Sequence, residues 1–196
     1  MGQVFAAIDG KLQDWIDRQH MFFVATAPSG SDGLVNLSPK GMGGTFAVLD
    51  PTHVGYLDYT GSGAETIAHL RDNGRIVVMF CAFDGPPRIV RLHGHGRVVR
   101  PGAAEFDPLR ARFGKPATAG QRAIVVIELT RISDSCGFSI PLMDFRADRD
   151  VLDRVHRRNE GEHGEQYFHD YWARKNAVSV DGLPALEPDP GPAATG

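Results

Sequence analysis

Cysteine is scarce in this chain: Cys81 and Cys136 are the only two, and they form no CxxC pair. Neither a disulfide framework nor a structural zinc site has the residues it needs. Long hydrophobic runs are missing as well. No stretch approaches the ~20 apolar residues that cross a bilayer as a helix. The N-terminus shows no basic segment followed by an apolar stretch and a small-residue cleavage site. Charge is close to balanced, at a net −3, and no aromatics alternate with basic residues to make a stacking platform. Nucleic acid is therefore not an expected partner, and neither is an acidic membrane. A GxGxxG after a strand, a GxSxG and an HExxH are all absent. Their absence removes the dinucleotide fingerprint, the serine-hydrolase elbow and the zincin histidine pair. What remains is the expectation of a soluble, cytoplasmic chain whose 196 residues and 42% hydrophobic content allow one domain with a substantial core.

What is present is a succession of short apolar runs closed by turn residues. Strands are expected over 21–27, 34–38, 45–49, 53–58, 75–83, 88–100 and 122–132. Helical spacing of Leu12, Trp15 and Ile16 predicts a helix over 11–20. Further helices are expected over 64–72, 103–113 and 150–174, the last interrupted at Gly161 and Gly164. Six or seven strands that follow one another without regular crossover helices predict a closed or nearly closed antiparallel barrel, mainly β with peripheral α. Residues 1–183 form this single domain, and the Pro-, Gly- and Ala-rich 184–196 is expected to be a disordered tail.

The junction from Tyr56 to Thr66 is the most informative stretch. An apolar run ends in Asp58-Tyr59-Thr60-Gly61-Ser62-Gly63, and a helix starts from that turn. Free N–H groups, a positive helix end and small hydroxyls then meet at one point, which suits a phosphate. The same residues also fit a plain helix cap, with Ser62 and Glu65 as a capping box. Strand parity adds a second element. Asn36, Ser38 and Lys40 share one face of their strand, opposite Val35, Leu37 and Pro39. A line of amide, hydroxyl and ammonium makes a wall for an anionic, hydrogen-bonding ligand, or an ordinary solvated face. In the strand from residue 88, Arg91, His93, His95 and Arg97 share one face, and Arg88 shares the other with Val90 and Leu92. An arginine on the apolar side wants an anion, and its planar fork suits phosphate. His93 and His95 lack further ligands at a suitable spacing, so no metal site is expected. Cys136 has no acid–base partner placed by sequence, and no catalytic constellation is legible.

These pieces, in order, resemble the pyridoxamine 5′-phosphate oxidase-related flavoproteins. They are Phe22 to Pro28, Val35 to Gly41, the Tyr56-to-Glu65 junction, and Arg75 to Val99 with its Gly-Pro-Pro-Arg turn. The resemblance covers roughly residues 10–132 and extends, in one subgroup, to Ser135-Cys136-Gly137 and to the stretch Asn176 to Pro184. It implies an FMN-binding split β-barrel, a homodimer with sites at the interface, and flavin redox chemistry on a small molecule. It also implies cofactor contacts from Asn36, Ser38, Lys40, Asp58, Tyr59, Thr60, Gly61 and Ser62; strand parity adds Arg88, which is expected within a few ångströms of the same anion. The chain departs from the true oxidases in three places. Gly63-Ala64 stands where they carry an Arg-Lys pair, Ile89 where they carry a glutamine, and Trp172 and Arg174 occur in a different context. These departures argue against vitamin B6 oxidation. A deazaflavin-dependent reductase and a non-catalytic flavin or haem storage protein stand as alternatives.

Overall fold

The computed structural model describes residues 2–186. Along the chain run β1 (Val4–Phe5), α1 (Gly10–Asp17), β2 (Phe22–Thr26), β3 (Asn36–Lys40), β4 (Phe46–Asp50), β5 (His53–Tyr59), α2 (Glu65–Asp72), β6 (Arg75–Cys81), β7 (Ile89–Val99), α3 (Phe106–Arg110), β8 (Gln121–Ser135), α4 (Val151–His163) and α5 (Gln166–Lys175). The strands pair antiparallel in the order β3-β2-β6-β7-β8-β5-β4, with β1 added to β8.

The two ends of this order, β3 and β4, are joined by residues 41–45 alone. Laid flat, the sheet would hold those edges about 29 Å apart at ~4.8 Å per strand spacing. A link of that length reaches only roughly 20 Å. The sheet therefore rolls up. Phe22 of β2 meets Phe46 of β4 at 5.1 Å, and Phe46 meets Phe80 of β6 at 5.0 Å. Because β3 and β4 do not pair with each other, the result is a split β-barrel, mainly β with peripheral helices, as expected. A polar contact crosses the split: Lys40 Nζ of β3 lies 3.6 Å from Asp58 Oδ1 of β5.

The barrel interior is filled by alternate residues of the strands, among them Val24, Val54, Tyr56, Val78, Leu92 and Val125, all fully buried. Leu12 and Ile16 of α1 close one end. The Gly94 and Gly96 that separate the histidines of β7 have a packing reason. A β-carbon at Gly96 would stand 2.8 Å from Leu70 of α2, and one at Gly94 would overlap the Glu128 carbonyl. These glycines face the interior so that α2 and β8 can approach, and His93 and His95 alternate outward. Among the described residues no group of His, Cys, Asp or Glu is placed to hold a metal ion, and no helix is long and apolar enough to cross a membrane.

Four expectations need correction. The strands number eight, because a two-residue β1 escapes pattern reading. α3 is only five residues long, since Pro108 fits near a helix start but the flanking Gly102 and Gly114 support no extension. Only Gly164, at φ 71°, breaks the long C-terminal helix; Gly161 lies inside α4. Finally, the expected disordered tail does not begin at Pro184. Ala185 and Leu186 are 2% and 3% exposed and donate their N–H groups to Ala177 and Asn176. They join Ile67, Phe168 and Trp172 in a cluster that fastens the C-terminal segment to α2. Residues 187–196 of that expectation lie outside the described residues.

Candidate functional site

β3 carries its polar residues toward the molecule and its apolar ones outward. Val35 and Leu37 are 73% and 64% exposed, whereas Asn36, Ser38 and Lys40 are half-buried. The parity read from the sequence is therefore the parity of the strand. Asn36 Nδ2 donates to Thr26 Oγ1 of β2 at 3.1 Å and to Thr66 Oγ1 of α2 at 3.0 Å, and Ser38 Oγ donates to Asn36 Oδ1. Behind them Thr26 Oγ1 meets His69 Nδ1 at 3.0 Å. This ladder ties the wall to the first turn of α2, and Lys40 stands at its end.

α2 begins without a cap. Its N-cap position is Ala64, no side chain bonds to its first amides, and Ala68 N–H is the one that first finds a helical carbonyl, on Ala64. The Ser62–Glu65 capping box read from the sequence is not formed. Ser62 is exposed, and the N–H groups of Glu65, Thr66 and Ile67 point out of the helix end with no helical acceptor. A positive helix end favours an anion; Asn36 of β3 reaches it through Thr66, and Lys40 stands at the other end of the same strand face.

Asp58, Tyr59 and Thr60 occupy the rear of this turn. Asp58 is 1% exposed, accepts from Arg122 Nε at 2.6 Å, and faces Lys40 at 3.6 Å. Burial alone would raise the Asp58 pKa, but Arg122 and then Lys40 outweigh it and hold the carboxyl below its ordinary value. Arg122 Nη1 donates to the Gly63 carbonyl at 3.0 Å and to Asn176 Oδ1 at 2.9 Å. Thr60 Oγ1 donates to the Gly120 carbonyl and accepts from Trp172 Nε1, both at 2.8 Å. Its carbonyl meets His156 Nε2 at 3.1 Å, and Asn176 Nδ2 donates to the Gly61 carbonyl at 3.1 Å. Burial lowers the His156 pKa, so the ring is neutral near pH 7. The turn is thus held from behind by β8 and the C-terminal segment, which engage its Thr60, Gly61 and Gly63 carbonyls, while the Thr60 N–H donates to the Gly120 carbonyl.

Arg88 is not brought to this cluster. Its guanidinium binds Asp134 Oδ2 at 3.0 and 2.8 Å and lies over the rings of Phe5 and Trp15. Asp134 is near the end of the fifteen-residue β8, whereas Arg122 is near its start, about 40 Å away along the strand. Sequence reasoning missed Arg122 and His156. The available signal for Arg122 was a lone cation opening the apolar run Ala123 to Ile127, and strand pairing sets Ala123 opposite Asp58. A separate cleft of about 290 Å³ opens past Lys40, between α1 and residues 41–46, but Asp17 and Asp148 on its rim make it a poor host for an anion.

The family model described as Pyridoxamine 5'-phosphate oxidase matches residues 8–136. The Pyridoxamine 5'-phosphate oxidase family protein ustO of Aspergillus flavus is 38% identical over 192 residues, covering 93% of this chain and 77% of that protein. Among solved structures, the FAD binding protein from Mycobacterium smegmatis is 16% identical, with a TM-score of 0.45 over 67% of this chain and 97% of its own. An FMN-binding protein from Syntrophomonas wolfei is 15% identical, with a TM-score of 0.42 over 64% of this chain and 78% of its own. On the family match and the close relative, the chain belongs to the pyridoxamine 5'-phosphate oxidase family.

Proposed function

We propose that the protein binds a flavin, FMN, at the interface of a homodimer and acts as an oxidoreductase on a small organic molecule. The observation that supports this most is the meeting, in a chain of this family, of the Asn36-Ser38-Lys40 wall with the uncapped start of α2. Those groups fit a phosphate-bearing cofactor. Lys40 supplies a half-exposed cation, Ser62 and Gly61 an open turn, and α2 its free amides. They take the place of the Arg-Lys pair that Gly63-Ala64 lacks, with dipoles substituting for one charge. Asp58, Tyr59 and Thr60 hold this reading from behind, as supports of the turn, and Arg88 leaves it.

When bound, a flavin supplies the electron and hydride chemistry itself. The protein's part is to orient the ring system and to keep water from one face of it. No acid–base constellation is required for that, in keeping with the absence of a legible one. The outward apolar residues of β3 support the dimer. An edge strand with Val35 and Leu37 exposed is a surface that a second copy can cover.

Calorimetric titration with FMN, a deazaflavin and haem tests the reading. Saturable FMN binding, followed by bleaching with a reduced nicotinamide and turnover of an acceptor, is the expected result. Preference for the deazaflavin would move the chain to the reductase alternative. Binding of flavin or haem without turnover would make it a storage protein, and binding of none would refute the reading.

A further inference from the structure

We propose that Asp181 is a positioning residue for the β3 wall. Acting through His69 and Thr26, it sets the direction of a hydrogen-bond chain that ends at Ser38, and leaves the Ser38 oxygen as an acceptor for an N–H or O–H of the ligand. The ligand in question is the flavin, so in that respect the inference rests on the preceding reading.

Asp181 sits in the turn that follows α5. The Gly182 N–H donates to the Ser179 carbonyl at 3.0 Å, Gly182 takes a φ of 77° that a side chain would strain, and Val178 bridges Pro184. This turn lays the carboxylate against the start of β3, where it accepts from the Leu34 N–H at 3.2 and 3.3 Å across 147 positions. Its Oδ2 also lies 3.8 Å from Nε2 of His69 in α2. His69 is fully buried, and among the described residues its Nε2 makes no hydrogen bond. At that distance the carboxylate acts by its charge, which counts for more in a buried setting than in water.

From the other ring nitrogen the chain runs inward. His69 Nδ1 meets Thr26 Oγ1, Thr26 meets Asn36, and Asn36 meets Ser38. Such a chain has two possible directions. With the ring proton on Nε2, Nδ1 accepts from the Thr26 hydroxyl, the Thr26 oxygen accepts from the Asn36 amide, and Asn36 Oδ1 accepts from Ser38. With the proton on Nδ1 every donor reverses, and the Asn36 amide, turned over, donates to Ser38. The Asp181 carboxylate decides between them, because it attracts an N–H at Nε2 and repels a lone pair there. The arrangement found is the first: Asn36 Nδ2 donates to both Thr26 and Thr66, and Ser38 donates to Asn36 Oδ1. Ser38 is half-buried on the wall and its single hydrogen is committed. Toward a ligand its oxygen only accepts. A phosphate takes no hydrogen bond from it, and on this wall the anion is left to Lys40. An oxidised flavin offers donors of two kinds, the ring imide N–H and the hydroxyls of the ribityl chain.

Titration of the full chain with three ligands tells these donors apart. They are FMN, its N3-methyl derivative, which lacks the imide hydrogen, and a flavin with a 5-phosphopentyl chain, which lacks the hydroxyls. The wild type is expected to bind one of the two analogues about three- to tenfold more weakly than FMN. Ser38→Ala should erase that difference. So should Asp181→Asn, which keeps the side chain's shape and an acceptor for Leu34. A merely structural role for Asp181 lowers all three affinities alike, and that result would overturn the proposal. Equal binding of the three ligands by the wild type, or a difference that survives in Ser38→Ala, would overturn it too. Nitrogen-15 NMR of His69 reads the direction of the chain without any ligand. The expected result is Nε2–H in the wild type, moving to Nδ1–H in Asp181→Asn. A wild-type ring protonated at Nδ1, alone or together with Nε2, would overturn the proposal and leave the flavin reading standing. A wild type that binds none of the three ligands yet shows Nε2–H would refute the flavin reading, and the Ser38 contact with it, while Asp181's control of the chain stands.

Discussion

Two arginine–aspartate pairs stand at opposite ends of β8, and their surroundings differ. Arg88 and Asp134 are 28% and 20% exposed, and the guanidinium lies 5.7 Å from the Phe5 ring and 5.2 Å from the Trp15 ring. That pair staples β1 and α1 to the sheet. Arg122 and Asp58 are 5% and 1% exposed, and Arg122 also holds the Gly63 carbonyl and Asn176. Both arginines satisfy a nearby carboxylate, but only one of them shapes the turn where a ligand's anion would arrive. An arginine among apolar neighbours calls for a counter-charge. Whether a ligand or the chain supplies it depends on a residue far away in sequence, here 46 positions for Arg88.

The comparison breaks most visibly on truncation. Arg122→Ala leaves Asp58 buried beside Lys40 alone, and should cost about 3–5 kcal/mol of stability in chemical denaturation. A loss under about 1 kcal/mol would mean that Lys40 closes onto Asp58 and makes Arg122 dispensable. Asn176→Ala, which strips a partner from Arg122 and from the Gly61 carbonyl, should cost about 1–3 kcal/mol. Arg88→Ala removes a solvent-screened pair and two ring contacts, so about 1 kcal/mol is expected.

Acid sharpens the contrast further. The Asp58 pKa is depressed in the folded chain. Its contribution is therefore complete above the unfolded aspartate value of about 3.9 and is lost as pH falls through the lower folded value. Stability measured against pH should drop below about pH 4, and Asp58→Asn should flatten that drop. An unchanged slope in Asp58→Asn would assign the acid sensitivity elsewhere.

Much of this arrangement was legible in residue order. Period-two alternation gave the face shared by Asn36, Ser38 and Lys40, and the continuous apolar run of β6 gave a central strand. Runs of short strands gave the barrel, because no crossover helices separate them. The misses share a physical cause. Arg122, His156 and Asn176 reach the turn through tertiary contacts spanning 59, 96 and 115 positions, which no local pattern encodes. The capping box failed for the opposite reason. Ser62 and Glu65 have the right spacing, but Arg122 pins the Gly63 carbonyl, and the helix start falls at Ala64 instead. Composition also misled at the tail, where Pro184 suggested disorder while Leu186 had an apolar cluster to join.

The central claim is that a cofactor phosphate sits at the β3–α2 end of the barrel and not at the Arg88 end. The direct measurement is FMN affinity, by fluorescence quenching, in the wild type, Lys40→Ala and Arg88→Ala. A loss of roughly ten- to a hundredfold is predicted for Lys40→Ala, since a charged hydrogen bond contributes ~1.5–3 kcal/mol, with Arg88→Ala indistinguishable from wild type. Equal losses in both variants, or a loss confined to Arg88→Ala, would contradict it.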